Sequence, residues 1–113
     1  MLFRSAPQNP YAVINHGAFM TNSPEVVVTI SATDLDTGVA AYFISESPLT
    51  PMGGTPGWVD VTTAIKFGAT IPFILSPTDG QKTIYVWFKD AGNNVSTPAS
   101  ATILVNKIGR AHV

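Results

Sequence analysis

Residues 83–94 read TIYVWFKDAGNN. Ile84, Val86 and Phe88 fall on one side of this run, and Tyr85, Trp87 and Lys89 on the other. A period of two is that of a β-strand, because successive side chains leave opposite faces of the pleat. The run then breaks into Asp-Ala-Gly-Asn-Asn, residue types that supply turns. The aliphatic side is a core face. The opposite side carries two large aromatics, which either stiffen the sheet through cross-strand contacts or form a sticky outer surface.

The same grammar extends in both directions. Towards the C-terminus, residues 95–105 (VSTPASATILV) aim Ala101, Ile103 and Val105 inward. Towards the N-terminus, PTDGQ carries Asp79-Gly80, a hairpin signal. Before it, ATIPFILS (69–76) directs Ile71, Phe73 and Leu75 one way, and Pro72 predicts an edge strand or a bulge. WVDVTT (58–63) is a short strand. PLTPMGGTPG (48–57), with three Pro and three Gly in ten residues, is a loop. VAAYFISES (39–47), EVVVTISAT (25–33) and YAVIN (11–15) complete the set. No window shows helical spacing. Strands recurring every eight to twelve residues or so, rich in Val, Ile and Thr, predict an all-β fold. The specific expectation is an immunoglobulin-like antiparallel β-sandwich of about seven strands. Val26, Val28, Ile30, Ile71 and Phe73 would form one inner face, and Ile84, Val86, Phe88 and Ile103 the other.

Bulk properties narrow the function classes. The chain has 113 residues, 45% of them hydrophobic and 12% charged, which suits one domain with one core. A net charge of -1 with scattered Lys and Arg gives no reason to expect nucleic acid. The absence of cysteine excludes a disulfide framework and a thiolate zinc site. No segment approaches the ~18 consecutive apolar residues of a membrane helix, so membrane insertion is not expected. MLFRSAPQNP (1–10) has no h-region and reads as a linker with Pro7 and Pro10. An exported parent would carry its signal upstream. Residues 11–106 form the domain, and 107–113 read as a linker or a vector-derived tail.

Two stretches, INHGAFMTNSPEVVVTISATDLDTGVAAYFIS and LSPTDGQKTIYVWFKDAGNNVSTPASATILV, closely resemble a bacterial Ig-like, fibronectin-III-like repeat found in tandem in large exported or surface proteins. The matching features are Asn15, Gly17 and Ala18; Thr21 to Ser23; Ser31 to Asp34; Gly38 and Val39; Ile44 and Ser45; Asp79 and Gly80; Lys82 and Thr83; Phe88 to Asp90; and Gly92 onward. They span roughly residues 13–105. One departure is DAGNNVS, where Gly92 stands one place earlier than in the family's Asp-Ala-Ala-Gly-Asn order. The resemblance implies a non-enzymatic spacer or adhesive module, secreted or at a bacterial cell surface. Its partners would be neighbouring domains of the same chain, with a surface protein or polysaccharide as the external candidates.

No catalytic constellation emerges. His16 sits in a Gly-containing loop without a paired acid, His112 lies in the tail, and no Gly-x-Ser-x-Gly elbow is present. No catalytic residue, cofactor or metal ligand is therefore assigned. Asp34, Asp36, Asp90 and Asn93 would converge if their two loops share a pole. Calcium needs about six to eight oxygens, whereas Asp and Asn in such turns hydrogen-bond their own backbone; the second reading is preferred. Trp58 is expected to pack the long loop down. The interaction candidates are Phe43, Tyr85 and Trp87, which adjacent strands would place together on an outer face. The alternative function attached to that patch is a glycan-binding accessory module of a secreted carbohydrate-active enzyme. An odd number of alternating strands also predicts that the first and last finish at opposite poles.

Overall fold

The computed structural model describes residues 6–107. Residues 1–5 of the expected linker, and the tail from 108 with His112, lie outside the described residues. Eight strands follow in order: β1 (Gln8–Ile14), β2 (Met20–Thr21), β3 (Glu25–Thr33), β4 (Val39–Ser45), β5 (Val59–Ala64), β6 (Lys66–Ile74), β7 (Gly80–Lys89) and β8 (Ala99–Val105). They form a three-stranded sheet in the order β1-β3-β6 and a five-stranded sheet in the order β2-β8-β7-β4-β5. All pairs are antiparallel except β2 with β8. This is an Ig-like β-sandwich.

The two inner faces meet in one core. β3 contributes Val26, Val28, Ile30 and Ala32; β7 contributes Ile84, Val86 and Phe88; β8 contributes Ile103 and Val105. Alternation carries through: every inward residue of β3 is buried, and each neighbour along the strand is half-buried or exposed. Phe67 stacks on Tyr42 and meets Phe88 edge-on across the gap, with centroids 6.3 Å apart for Tyr42–Phe67 and 6.2 Å for Phe67–Phe88. Ile71 and Phe73 are half-buried and pack against this core, because β6 is an edge strand. Pro72 lies on that edge strand opposite Val27, where a missing N–H breaks no second ladder.

Several elements differ from the sequence reading; β8, for one, begins at Ala99 rather than residue 95. β1 begins at Gln8 rather than Tyr11, with a register shift between Gln8 and Tyr11 that accommodates Pro10 and a left-handed Asn9 (φ 55). β6 begins at Lys66 rather than residue 69, because Gly68 faces outward opposite Ser31 and interrupts no core row. β2 has only two residues, too few to show any period. Finally, Asp79-Gly80 does not close a hairpin. β6 pairs only with β3, and β7 pairs with β4 and β8, so this turn carries the chain from one sheet to the other. The inner faces of β6 and β7 must oppose each other across the core, which forbids their lying side by side. Gly80 still meets a backbone demand there, with φ 129.

The chain does not reverse between β1 and β2. Asn15, His16 and Gly17 take successive positive φ values of 48, 58 and 92, and this left-handed turn moves the chain between sheets without changing direction. The Asn15 side chain secures it by accepting a hydrogen bond from the Val27 amide at 3.0 Å. Eight segments therefore run as seven passes. At the entry pole, Gln8 pairs with Thr33 and Thr33 with Lys66. At the exit pole, Val105 pairs with Gly80, and the Lys107 amide donates to Asp79. β1 thus starts at one pole and β8 ends at the other, separated by the length of β3, nine residues or about 30 Å at ~3.3 Å per residue.

Candidate interaction face

The outer face of the five-stranded sheet is built from the outward residues of β4 and β7. Pairing places Phe43 directly opposite Trp87 and Ser45 opposite Tyr85. Phe43 meets Trp87 edge-on, with centroids 6.1 Å apart and planes at 76°. Tyr85 and Trp87 are also 6.1 Å apart, with planes at 29°. The three residues expected to cluster therefore form one continuous aromatic group.

They do not form an open surface. Trp87 is 0% exposed, whereas Phe43 and Tyr85 are half-buried. The cover is the Pro- and Gly-rich loop over 46–58. It leaves the exit pole, where Glu46 accepts hydrogen bonds from the amide and hydroxyl of Ser76 at 2.7 and 2.9 Å. It then crosses the sheet to reach Asn93 at the entry pole. Gly53 lies so close to Asn93 that a Cβ added to it would stand 2.5 Å from the asparagine Cβ. Gly57, at φ 115, approaches the Phe43 ring to within 2.8 Å of such a Cβ. Glycine is required at both close approaches. Ala41 and Pro51 are buried beneath or within this cover. Trp87 thus belongs to a second, smaller apolar cluster on the outer side of the sheet. Strand alternation alone gives no sign of it.

Lys89 and Trp58 hold the loop. The Lys89 ammonium donates to the Gly53 carbonyl at 2.6 Å and to Asn93 Oδ1 at 3.0 Å, and lies 4.9 Å from the centroid of the Trp58 ring. Trp58 packs edge-on against Phe43 at 5.5 Å, and its indole N–H donates to the Met52 carbonyl at 2.8 Å. Trp58 therefore packs the loop down. The sequence allows Lys89 to lie over the outer aromatics, but its hold on the Gly53 carbonyl depends on a loop whose path the sequence does not show.

At the entry pole the β3–β4 and β7–β8 loops do come together. Asp34 Oδ1 accepts from the amides of Asp36 and Thr37, and its Oδ2 is buried with no hydrogen-bond partner. Asp90 Oδ1 accepts from the amides of Gly92 and Asn94, and its Oδ2 from the Asn94 side chain. Burial pushes the Asp90 carboxyl up, but hydrogen bonds from the Asn94 side chain and the Asn94 and Gly92 amides outweigh it. The net pKa lies below the ordinary 3.8. The left-handed residue of this turn is Asn93, at φ 65, the position where the family order has Gly; Asn tolerates it. Among the described residues no group of three or more His, Cys, Asp or Glu is placed to hold a metal. His16 is exposed on the left-handed turn, apart from these carboxylates. No helix among the described residues is long and apolar enough to cross a membrane.

No protein-family description matches the chain, and no curated protein does either. Among solved structures, the chain is similar to the PKD domain of an M14-like peptidase from Thermoplasmatales archaeon SCGC AB-540-F20. The TM-score is 0.64 at 17% identity, over 92% of this chain and 97% of that one. At that identity the likeness carries the fold and nothing further.

Proposed function

We propose that this chain is a non-catalytic Ig-like module of a larger exported bacterial protein, where it acts as a spacer or adhesive bead among neighbouring domains of the same chain. The observation that carries the reading is the placement of the ends. β1 starts at one pole and β8 stops at the other, so copies joined end to end extend in a line. A module inserted into another domain's loop would instead gain from adjacent ends. The resemblance to a tandem surface repeat points the same way. In this reading the short turns and the buried Asp34 and Asp90 hold the entry pole rigid and take no part in chemistry.

The test is small-angle scattering on one, two and three copies joined through their own terminal segments. The maximum dimension should grow by about 30–40 Å per copy, one strand length plus its linker. Three copies collapsing to little more than the dimension of two would refute the spacer.

A further inference from the structure

We propose that the loop over 46–58 is a strap that opens on its own, uncovering Phe43, Tyr85 and Trp87 as a platform for a neutral polysaccharide. This goes beyond the spacer reading, which needs no ligand and survives if the strap stays shut.

Three observations support it. First, the closed strap leaves a defect. Trp87 is fully buried, yet its Nε1–H has no hydrogen-bond partner. A buried indole N–H normally finds an acceptor, and leaving it without one is unfavourable. Opening relieves that defect by giving the N–H access to water or to a ligand oxygen. Second, the grip is localised. At its centre the strap is fastened by Lys89 and by the seating of Trp58, while its largest aliphatic side chains, Leu49 and Met52, are 79% and 77% exposed. They contribute little to holding it shut. Pro51, Gly57 and Trp58 are the apolar contacts of the strap itself, and a loop held at a few points opens below the global stability. Third, the uncovered surface has a definite chemistry. Tyr85 and Trp87 present rings tilted 29° from each other, bordered by Ser45, Thr83, Ser100 and Thr102 on the paired strands. Flat rings with hydroxyls around them and a single indole donor suit the apolar faces and hydroxyls of pyranose rings. Apart from the latching Lys89, these residues carry no charge to select an acidic chain.

The chain has two tryptophans, so its indole N–H groups give two NMR signals, and each is read separately. Hydrogen exchange of the Trp87 indole should run well ahead of the core amides of Val86 and Phe88. Lys89→Met removes the latch but keeps most of the aliphatic stem; it should speed Trp87 indole exchange about tenfold or more and leave the core amides unchanged. Titration with a soluble β-glucan and a soluble xylan should shift the Trp87 indole signal. Binding to Lys89→Met should be tighter by up to the same factor, because the opening cost falls. Tyr85→Ala should abolish it. If the Trp87 indole exchanges only as fast as the core amides in both proteins, the strap does not open alone and the proposal fails. If it opens in Lys89→Met but neither polysaccharide binds, the platform is wrong and the proposal fails equally.

Discussion

Replacing Asp90 by Ala should unfasten the β7–β8 turn at a cost that the structure allows to be worked out. Asp90 is 1% exposed, and its carboxylate accepts three hydrogen bonds: from the Gly92 amide at 2.9 Å, the Asn94 amide at 2.9 Å and the Asn94 side chain at 3.0 Å. Each bond to a charged acceptor is worth about 1.5–3 kcal/mol. They are not additive, and the freed amides of this pole turn recover some hydration. A net loss of about 2–4 kcal/mol is expected. Asp90→Asn keeps an oxygen for the two amides but sets its own NH2 against that of Asn94, so about 1–2 kcal/mol should go. The folded pKa of Asp90 lies below the ordinary 3.8. Its contribution is therefore complete above the unfolded value and is lost as pH falls from there through the folded value. Urea denaturation followed by tryptophan fluorescence should show a constant gap between the wild type and Asp90→Asn from neutral pH to about pH 5. The gap should narrow only in more acidic solution. An Ala variant losing under about 1 kcal/mol at pH 7, or a gap that widens on acidification, would refute the reasoning.

Phe88→Ala should cost about 3–5 kcal/mol, since the ring is fully buried between the sheets; equilibrium denaturation losing less than ~1 kcal/mol would place it outside the core. Gly57→Ala should cost about 2 kcal/mol, because φ is 115 and the new methyl would sit 2.8 Å from Phe43; the Phe43 ring signals should move with it, and unmoved rings would count against the close approach. Ser96→Ala should cost about 1–2 kcal/mol and speed exchange of the Phe88 amide, whose donor is satisfied by Ser96 Oγ at 3.0 Å. An unchanged Phe88 exchange rate would show that the backbone contact between Ser96 and Phe88 carries this site alone.

The core was readable because period-two alternation needs only the strand itself. Val26, Val28 and Ile30 on β3, and Ile84, Val86 and Phe88 on β7, face inward as their spacing requires. Pro72 marked an edge for a reason local to its own nitrogen. What stayed hidden depends on partners distant in sequence. Alternation puts Trp87 on the outer side of β7 but does not reveal that residues 46–58 return to cover it. Asp79-Gly80 specifies a sharp bend, and only the opposition of two inner faces decides that the bend joins different sheets. β2 owes its existence to carbonyls of Phe19 and Thr21 that accept from the amides of Leu104 and Asn106, which no pattern within Met20–Thr21 can disclose. Of the aromatic group, the sequence indicated membership but not accessibility.

The left-handed turn at Asn15–Gly17 has a mechanical consequence. Because β1 and β2 run the same way, and β2 lies parallel to β8, tension applied at the two poles drags these neighbouring strands in opposite directions along their length. The β2–β8 bonds, Leu104 to Phe19 at 3.0 Å and Asn106 to Thr21 at 2.9 Å, are then sheared together instead of being unzipped one at a time. The antiparallel ladders of β1 with β3 and of β7 with β8 are loaded in the same sense. A pull along the chain therefore meets whole ladders at once.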